Sequence, residues 1–375
     1  MSASGALRVV HVDTERTWGG GQRQLHALAT GLQLRGHRSW VAARPGTLLA
    51  AALARDGVPV LPLSPAFEWD PVAAGRLRKL LAEVRPDVVH AHAAHAVAVS
   101  ALATARTPVR LLVSRRVALP LRRNFLSRLK YRRPERFIAV SERVRSVLCT
   151  CGVDPARVSV VHSGVNLSRP ARRASEATLR GLGVEPGRPL AVMVSSLIPP
   201  HKDPETFLAA IAAARRAGCD VQALLVGDGP LAAAVRRFRS RLGLDAIVRL
   251  PGFRADAAEL LAAADVAVLS SRDEGLGTTL LDAMLAEVPV VATAAGGVTE
   301  IVRHGTDGLL VAVGDGAALG DAIRRVLGDR PLRSSLVAAA RERVREFSID
   351  RTIDGTLDVY RGLDPGVGRP GRGDA

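Results

Sequence analysis

Short apolar runs rich in β-branched residues alternate with longer stretches that are apolar at helical spacing. "ALRVVHV" is the first run; a Gly-rich turn, "WGGGQ", leads into "RQLHALATGLQLRG", a predicted helix closed by Gly36. "SWVAARP" and "VPVLPLSP" read as strands with the helical "TLLAAALARDG" between them. "PVAAGRLRKLLAEVRP" is a helix ended by Pro86, and "DVVHAHA" is the next strand. "VRLLVS", "RFIAVS" and "VSVVHSGV" continue the series, with helices around Arg122–Tyr131 and Glu142–Cys151. The segment "NLSRPARRASEATLRGLGVEPGRP" breaks the pattern. The alternation then restarts with "LAVMVSSL", "VQALLVG", "IVRLPG", "VAVLSS", "VPVVAT" and "GLLVA". Helices are predicted over Glu205–Ala217, Leu231–Leu242, Ala257–Ala263, from Thr278, and in one long stretch from Gly316 to Glu346. "DRTIDGTLDVYRGL" and a Gly/Pro/Arg tail close the chain.

Strands that are apolar throughout and separated by helices imply parallel sheets covered on both faces. The expected fold class is therefore α/β, with two doubly wound Rossmann-like domains in tandem. The expected limits are 1–170 and 171–345, then a helix over 346–362 returning to the first domain and an unstructured tail over 363–375. Ligands of open α/β sheets bind beyond the carboxyl ends of the strands, so two such domains facing each other predict an active site in an interdomain cleft.

The strand "VAVLSS" feeds the loop and helix "SRDEGLGTTLLDAM", where Glu274 and Asp282 stand eight positions apart. Glycines in the loop let backbone N–H groups approach a ligand, and Thr278 and Thr279 open the helix. Free amides and the dipole at that end favour an anion, most simply a phosphate. Asp282 on the early part of the helix suits ribose hydroxyls, and Glu274 suits sugar hydroxyls or the phosphate turn. Capping and dipole compensation explain either acid taken singly; the glycine turn and preceding strand favour a site.

This stretch, followed by "GTDGLLV", resembles the donor-site signature of family 4 glycosyltransferases, the retaining enzymes of GT-B fold. That signature is an E-x7-E within Glu-Gly-x-Gly, a helix ending in Ala-Met, then Pro-Val-Val-Ala and Gly-Gly-x-x-Glu. "GGGQRQLHALATGLQLRGH", "PDVVHAHAAHA", "FIAVSERVRSVL", "VVHSGVNL", "LLVGDGPL" and "LPGF" extend the resemblance over almost the whole chain, the last two dozen residues excepted. The resemblance implies transfer from a nucleotide sugar. Glu274 would approach the donor sugar and Asp282 the ribose, being Asp where Glu is usual. Gly277, Thr278 and Thr279 would cradle the diphosphate, and Lys202 would neutralise it as it leaves. Ser196 stands where an Arg is frequent, so one cationic clamp is missing or comes from Arg116 or His201. Gly20 and Gly21, with Gly19 in the same turn, would bring amides to the donor phosphates or the acceptor. His92 matches the family histidine that contacts the transferred sugar. Arg116 and His95 are assigned to the acceptor side.

Breaking the anomeric C–O bond leaves a diphosphate anion and oxocarbenium character on the sugar, which a lysine and a helix N-terminus stabilise. No Asp-x-Asp occurs, so no divalent metal is expected to take that part. Alternation along the strand puts His90 and His92 on one face, and a zinc site of His90, His92 and His95 stands as a minor alternative. Gly227, Gly229 and Ala232 formally match a dinucleotide fingerprint, but mid-domain and with no acid ending the next strand. An epimerase-like hydrolase acting on UDP-sugars and a silent sugar-nucleotide- or lipid-binding scaffold remain as rivals.

Composition sets the outer limits. The chain has 375 residues, suiting two domains, and 47% hydrophobic residues, which excludes a mainly disordered chain. No apolar run is long enough to span a bilayer, and the start lacks a secretion-signal pattern. Only Cys149, Cys151 and Cys219 occur, so no disulfide framework is expected and a cytoplasmic setting is. Net charge is +16, concentrated in Arg110–Arg145. That run reads as a solvated face, as attachment to anionic lipid with Phe125, Leu126 and Leu129 touching it, or as a nucleic-acid surface. Scarce aromatics weaken the last. The expected partners are a UDP- or GDP-sugar donor and a cell-envelope glycan or glycolipid acceptor, with no tightly bound cofactor and no nucleic acid. The expected location is cytoplasmic, peripheral at the inner face of the membrane.

Overall fold

The computed structural model describes residues 5–121, 124–168, 172–199 and 201–362. The chain divides into two compact units, one running to Ser163 and taking up the chain again at Ile349, the other Gly164–Ser348.

In the first unit the strands are β1 (Arg8–Val12), β2 (Arg38–Ala43), β3 (Val60–Pro62), β4 (Val88–Ala91), β5 (Arg110–Arg115), β6 (Arg136–Ala139) and β7 (Val158–Val160). They alternate with α1 (Gly20–Leu34), α2 (Leu48–Arg55), α3 (Pro71–Val84), α4 (Ala94–Ala103), α5 (Phe125–Arg132) and α6 (Glu142–Thr150). All strand pairs are parallel, in the order β3-β2-β1-β4-β5-β6-β7. The apolar runs are buried on both faces, as a helix-covered parallel sheet requires. Asp70 shows how helix starts are set: its Oδ1 accepts from the amides of Val72 and Ala73, and Pro71 fills the first helical position.

The second unit opens with α7 (Glu176–Gly181) and repeats the plan. Its strands are β8 (Leu190–Val194), β9 (Gln222–Val226), β10 (Val248–Gly252), β11 (Val266–Leu269), β12 (Val290–Thr293) and β13 (Leu309–Val311). Its helices are α8 (Pro204–Arg216), α9 (Ala232–Arg241), α10 (Ala257–Ala262), α11 (Thr278–Leu285), α12 (Val298–Ile301), α13 (Gly316–Gly328) and α14 (Arg330–Arg343). The parallel order is β10-β9-β8-β11-β12-β13. Phe207, Leu208 and Ile211 of α8 and Leu319 and Ile323 of α13 share one core. Gly320 permits that approach, since a Cβ there would lie 2.5 Å from the Ala210 carbonyl oxygen.

The last helix, α15 (Ile349–Arg361), belongs to the first unit. It buries Ile349, Ile353, Leu357 and Tyr360 among Val9, Leu28, Leu32 and Val88. Each such side chain contributes about 1.5–3 kcal/mol. Gly31 of α1 admits Ile353, whose Cδ1 would lie 2.3 Å from a Cβ at that position. Arg35 bonds Asp350 at 2.8 Å and also pairs with Asp354, closing the rim.

Three expectations about helices change. The stretch from Gly316 to Glu346 is two helices and a 3-10 turn, because Asp329 leaves helical geometry and caps α14, with Pro331 in its first turn. The supposedly irregular region before residue 190 contains α7, capped by Ser175 and braced by Arg180–Glu176 at 2.9 Å. The helix expected around Arg122–Tyr131 starts at Phe125; residues 122 and 123, and the tail over 363–375, lie outside the described residues. The division between units falls after Ser163, whereas 170/171 was expected.

Candidate functional site

In each sheet the strand order reverses beside its first strand, between β1 and β4 and between β8 and β11. The carboxyl ends of those strands frame the crevice where such sheets bind ligands. The chemistry-bearing side chains collect there in both units.

In the first unit, Asp13 follows β1 and is 1% exposed. Its carboxylate accepts from Glu15 N at 2.8 Å and Gln22 Nε2 at 3.1 Å, while Gln22 Oε1 accepts from Gly19 N at 3.2 Å. The chain end of β1 is thereby tied to the start of α1, where Gly20 and Gly21 are the first helical residues. Burial pushes the Asp13 carboxyl up, against the bonds from Glu15 and Gln22 and the charge of Arg116. Arg116, just past β5, donates to Ser163 Oγ at 3.1 Å, and its buried Nε finds no acceptor among the described residues. Burial lowers its guanidinium to about 10, which leaves it charged at neutral pH.

Beneath lie three buried imidazoles. His11 Nδ1 and His92 Nε2 are 3.0 Å apart. His90 bonds Tyr360 Oη through Nδ1 and Ser114 Oγ through Nε2, each at 2.7 Å. The His90 and His92 rings lie against each other with centroids 4.0 Å apart and planes tilted by 36°. Burial brings His11 down to about 3 and holds His90 and His92 well below the usual imidazole range, with Arg116 adding to it, so all three are neutral. Their ring nitrogens lie within 4.8 Å of one another, a spacing that could hold a metal ion. Both His90 nitrogens are engaged, however, and the charged Arg116 acts on all three rings, so the donor set fits a neutral hydrogen-bonded cluster better.

In the second unit, the loop after β11 carries Ser271 to Gly277. Lys202, before α8, forms an ion pair with Glu274, whose Oε1 also accepts from Ser271 Oγ at 2.6 Å. The side chains are 20% and 10% exposed, so the pair is shielded but reachable. Arg272 bonds the buried Asp203 at 3.0 Å, and Asp203 caps α8 through Thr206. Gly277, at φ 88°, starts α11 and has no side chain to cap it, so the first-turn amides of Thr278 and Thr279 face outward. Behind the loop, a Cβ on Gly296 would lie 2.4 Å from the Glu274 carbonyl oxygen, and one on Gly297 2.2 Å from that of Gly275. The Gly-Gly pair is thus the seat on which the acidic loop rests.

The structure brings Glu274, Lys202, Gly277, Thr278 and Thr279 into one locality. Asp282 is the fifth residue of α11, a little deeper than its first turn. Ser196 is exposed after β8. His201 accepts the Arg272 amide through its carbonyl at 2.7 Å. In the first unit His92, Arg116, Gly20 and Gly21 lie at the same sheet edge, and His95 is exposed on the first turn of α4, close enough to act on Glu15. The minor zinc alternative is corrected: His11, not His95, completes the cluster, because β1–β4 pairing sets His11 opposite His90. The Gly227 and Gly229 fingerprint is also accounted for. A Cβ at these positions would lie 1.9 Å from Ser195 O and 2.5 Å from Leu197 O, so the glycines serve packing of two loops. His11, Asp13, Gln22 and Tyr360 were missed; the available signal was a histidine inside an otherwise apolar strand run.

Residues 18–169 match a family model described as Glycosyltransferase Family 4, and residues 188–329 one described as Glycosyl transferases group 1. A "D-inositol 3-phosphate glycosyltransferase" of Nocardioides sp. is 35% identical over 227 residues, covering 56% of this chain and 49% of that protein. The "N-acetyl-alpha-D-glucosaminyl L-malate synthase" of Bacillus anthracis is 37% identical over 142 residues, 38% of this chain and 37% of that protein. The chain thus spans about half the length, or less, of the curated relatives it matches. Among solved structures, Anabaena Alr3699/HepE in complex with UDP-glucose aligns at TM-score 0.83 and 23% identity, covering 95% of this chain and all of that one. The fold is accordingly GT-B.

Proposed function

We propose, from the premise that this chain belongs to glycosyltransferase family 4, that it moves a sugar from a nucleotide diphosphate donor to an acceptor with retention of anomeric configuration. The observation that carries this is the Lys202–Glu274 pair held on a glycine-seated loop just before the uncapped start of α11. A diphosphate arriving there competes for the Lys202 ammonium and accepts from the amides of Thr278 and Thr279. Glu274, released from Lys202, turns to the hydroxyls of the donor sugar, and Asp282 takes the ribose. As the anomeric C–O bond breaks, Lys202 and the helix end stabilise the leaving charge, so no divalent metal is called for. Ser196 leaves Lys202 as the cation of this loop cluster that meets the diphosphate. In the first unit, Gly20 and Gly21 offer amides, His92 meets the transferred sugar as a neutral ring, and Arg116 and His95 serve the acceptor.

The donor is taken to be a UDP- or GDP-sugar; UDP-glucose in the Anabaena structure supports the first. The acceptor is taken to be a cell-envelope glycan or glycolipid, approached from the cytoplasmic side of an anionic membrane. Exposed Phe125, Leu126 and Leu129 on α5, beside Arg128 and Arg132, support that surface. Among the described residues no helix is long and apolar enough to cross a membrane. A second reading, a small acceptor bearing phosphate or carboxylate, is favoured by the charged Arg116 with its unpartnered Nε and by relatives named for inositol phosphate and malate.

The test is a thermal-shift screen of UDP-, GDP- and ADP-sugars. A binder at a hundredfold excess over its Kd should add about 2.7 kcal/mol and name the donor base. No shift from any of them would end the reading. Release of free sugar without acceptor would favour a hydrolase, and Glu274→Ala leaving activity intact would remove Glu274 from the chemistry.

A further inference from the structure

The contact between His11 and His92 holds a single proton, and where that proton sits decides what His92 offers a ligand. With Nδ1 of His11 3.0 Å from Nε2 of His92 and both rings neutral, one ring donates and the other accepts. The remaining nitrogens, His11 Nε2 and His92 Nδ1, are buried with no hydrogen-bond partner among the described residues. Whichever ring donates keeps its other nitrogen bare, and the accepting ring carries its own proton on the outlying nitrogen. His90 cannot take that proton's bond, because Tyr360 and Ser114 occupy both of its nitrogens.

The two arrangements differ in where a stranded N–H is left. If His92 donated, the N–H would be His11 Nε2, in the interior of the sheet at 0% exposure. If His11 donates, the N–H is His92 Nδ1, also buried, but on a residue just past the carboxyl end of β4 that is 8% exposed and borders the crevice. A buried donor without an acceptor costs more than a bare lone pair, and only the second placement lets a ligand relieve it. We propose that His11 is a positioning residue that donates its Nδ1 proton to His92 Nε2 and so fixes His92 as an Nδ1–H donor for an oxygen of the bound ligand. His92 then acts as a fixed hydrogen-bond donor, with no lone pair available toward the ligand for taking a proton. His90, clamped by Tyr360 of α15, holds the plane of the His92 ring. The consequence for turnover rests on the transferase reading; the tautomer itself does not.

Nitrogen-15 NMR of the full chain labelled at histidine reads it directly, with His92 assigned by the resonances lost in His92→Gln. The expected result is protonated Nδ1 and bare Nε2 on His92 at neutral pH. His11→Phe should send His92 to the Nε2–H form, and His11→Asn, whose amide can donate, should restore Nδ1–H. In a transfer assay His11→Phe should lower kcat by about ten- to a hundredfold with KM for the nucleotide sugar within about twofold, and His11→Asn should recover most of it. His92 found as Nε2–H in the parent protein overturns the proposal whether or not the variants fold. Failure of the parent to turn over any nucleotide sugar would strike the transferase reading while leaving the NMR result to decide the tautomer.

Discussion

The two units share a strand order and differ in how they hold the groups at the sheet edge. In the first, side chains hold side chains: His11 to His92, His90 to Tyr360 and Ser114, Asp13 to Gln22, Arg116 to Ser163. In the second, peptide presses on peptide at glycines, Gly227 on Ser195, Gly229 on Leu197, Gly296 and Gly297 on the acidic loop. Gly21 makes the contrast plain, for a Cβ there would sit 3.6 Å from Arg116 Cδ, an ordinary contact. Protonation and hydrogen-bond pairing therefore set the first edge, whereas fixed backbone and the ion pairs Lys202–Glu274 and Arg272–Asp203 set the second.

The sharpest break in this comparison is Gly227→Ala. At φ 141°, with a Cβ 1.9 Å from a backbone oxygen, nothing flexible can yield. A loss above about 4 kcal/mol is expected, a fall of the melting temperature by about 10 °C or more. Gly187→Ala, at φ 76° with open space around it, should cost only about 1–2 kcal/mol. Equal melting curves for the two would mean that backbone contact does not hold these loops.

Glu274→Gln tests the ion pair next, keeping shape while removing charge. Turnover should fall by about a hundred- to a thousandfold, or roughly 3–4 kcal/mol in the barrier, with nucleotide binding retained. A kcat within about threefold of the parent would show that the pair is only structural.

This division also explains what could be read in advance. Parallel strands buried on both faces leave an unbroken apolar signature, so the sheet elements stood out, and alternation alone set His90 and His92 on one face. Lys202 and Glu274 lie 72 residues apart, and β8–β11 pairing helps bring them together; the resemblance singled out both, but no local pattern shows their contact. His11 looked like one more residue of an apolar strand until β1–β4 register set it opposite His90. The break at Asp329 had a local signal in Gly328, Asp329 and Pro331 that the apolar spacing on either side outweighed, and α7 is too short to establish a period.

A third test uses pH, to which the first edge should respond. His11 has a folded value of about 3 against an ordinary 6.5, so the unfolded chain takes up its proton first on acidification. Stability from this group is complete above 6.5 and is lost as pH falls toward 3, by about 1.4 kcal/mol per unit once below 6.5. His90 and His92 act in the same direction, since burial depresses both. Asp13, raised by burial, acts oppositely: folding favours its proton, which offsets part of the loss once pH nears the carboxylate range. His11→Phe should flatten the melting temperature between pH 7 and about 5 relative to the parent. Parallel slopes would mean that His11 is already protonated in the folded protein.

The smallest expected effect on stability comes from a surface where the first unit differs again. Its α5 turns Lys130 and Tyr131 inward and Phe125, Leu126 and Leu129 outward, at 77%, 50% and 47% exposure. In the second unit the large exposed apolar residues, Leu167, Ile198, Phe253 and Val313, are scattered along the chain. If the α5 patch enters lipid, replacing its three residues by Ser should move the melting temperature little, within about 0.5 kcal/mol, since each already leaves about half or more of its surface to solvent. Binding to anionic vesicles should fall sharply. Arg128→Glu should weaken it by about 1 kcal/mol or more and reduce its salt sensitivity. Co-sedimentation with phosphatidylglycerol and phosphatidylcholine vesicles checks both variants. Equal binding of the parent protein to the two lipids, or none to either, would leave α5 an ordinary solvated helix and confine the contrast between the units to their sheet edges.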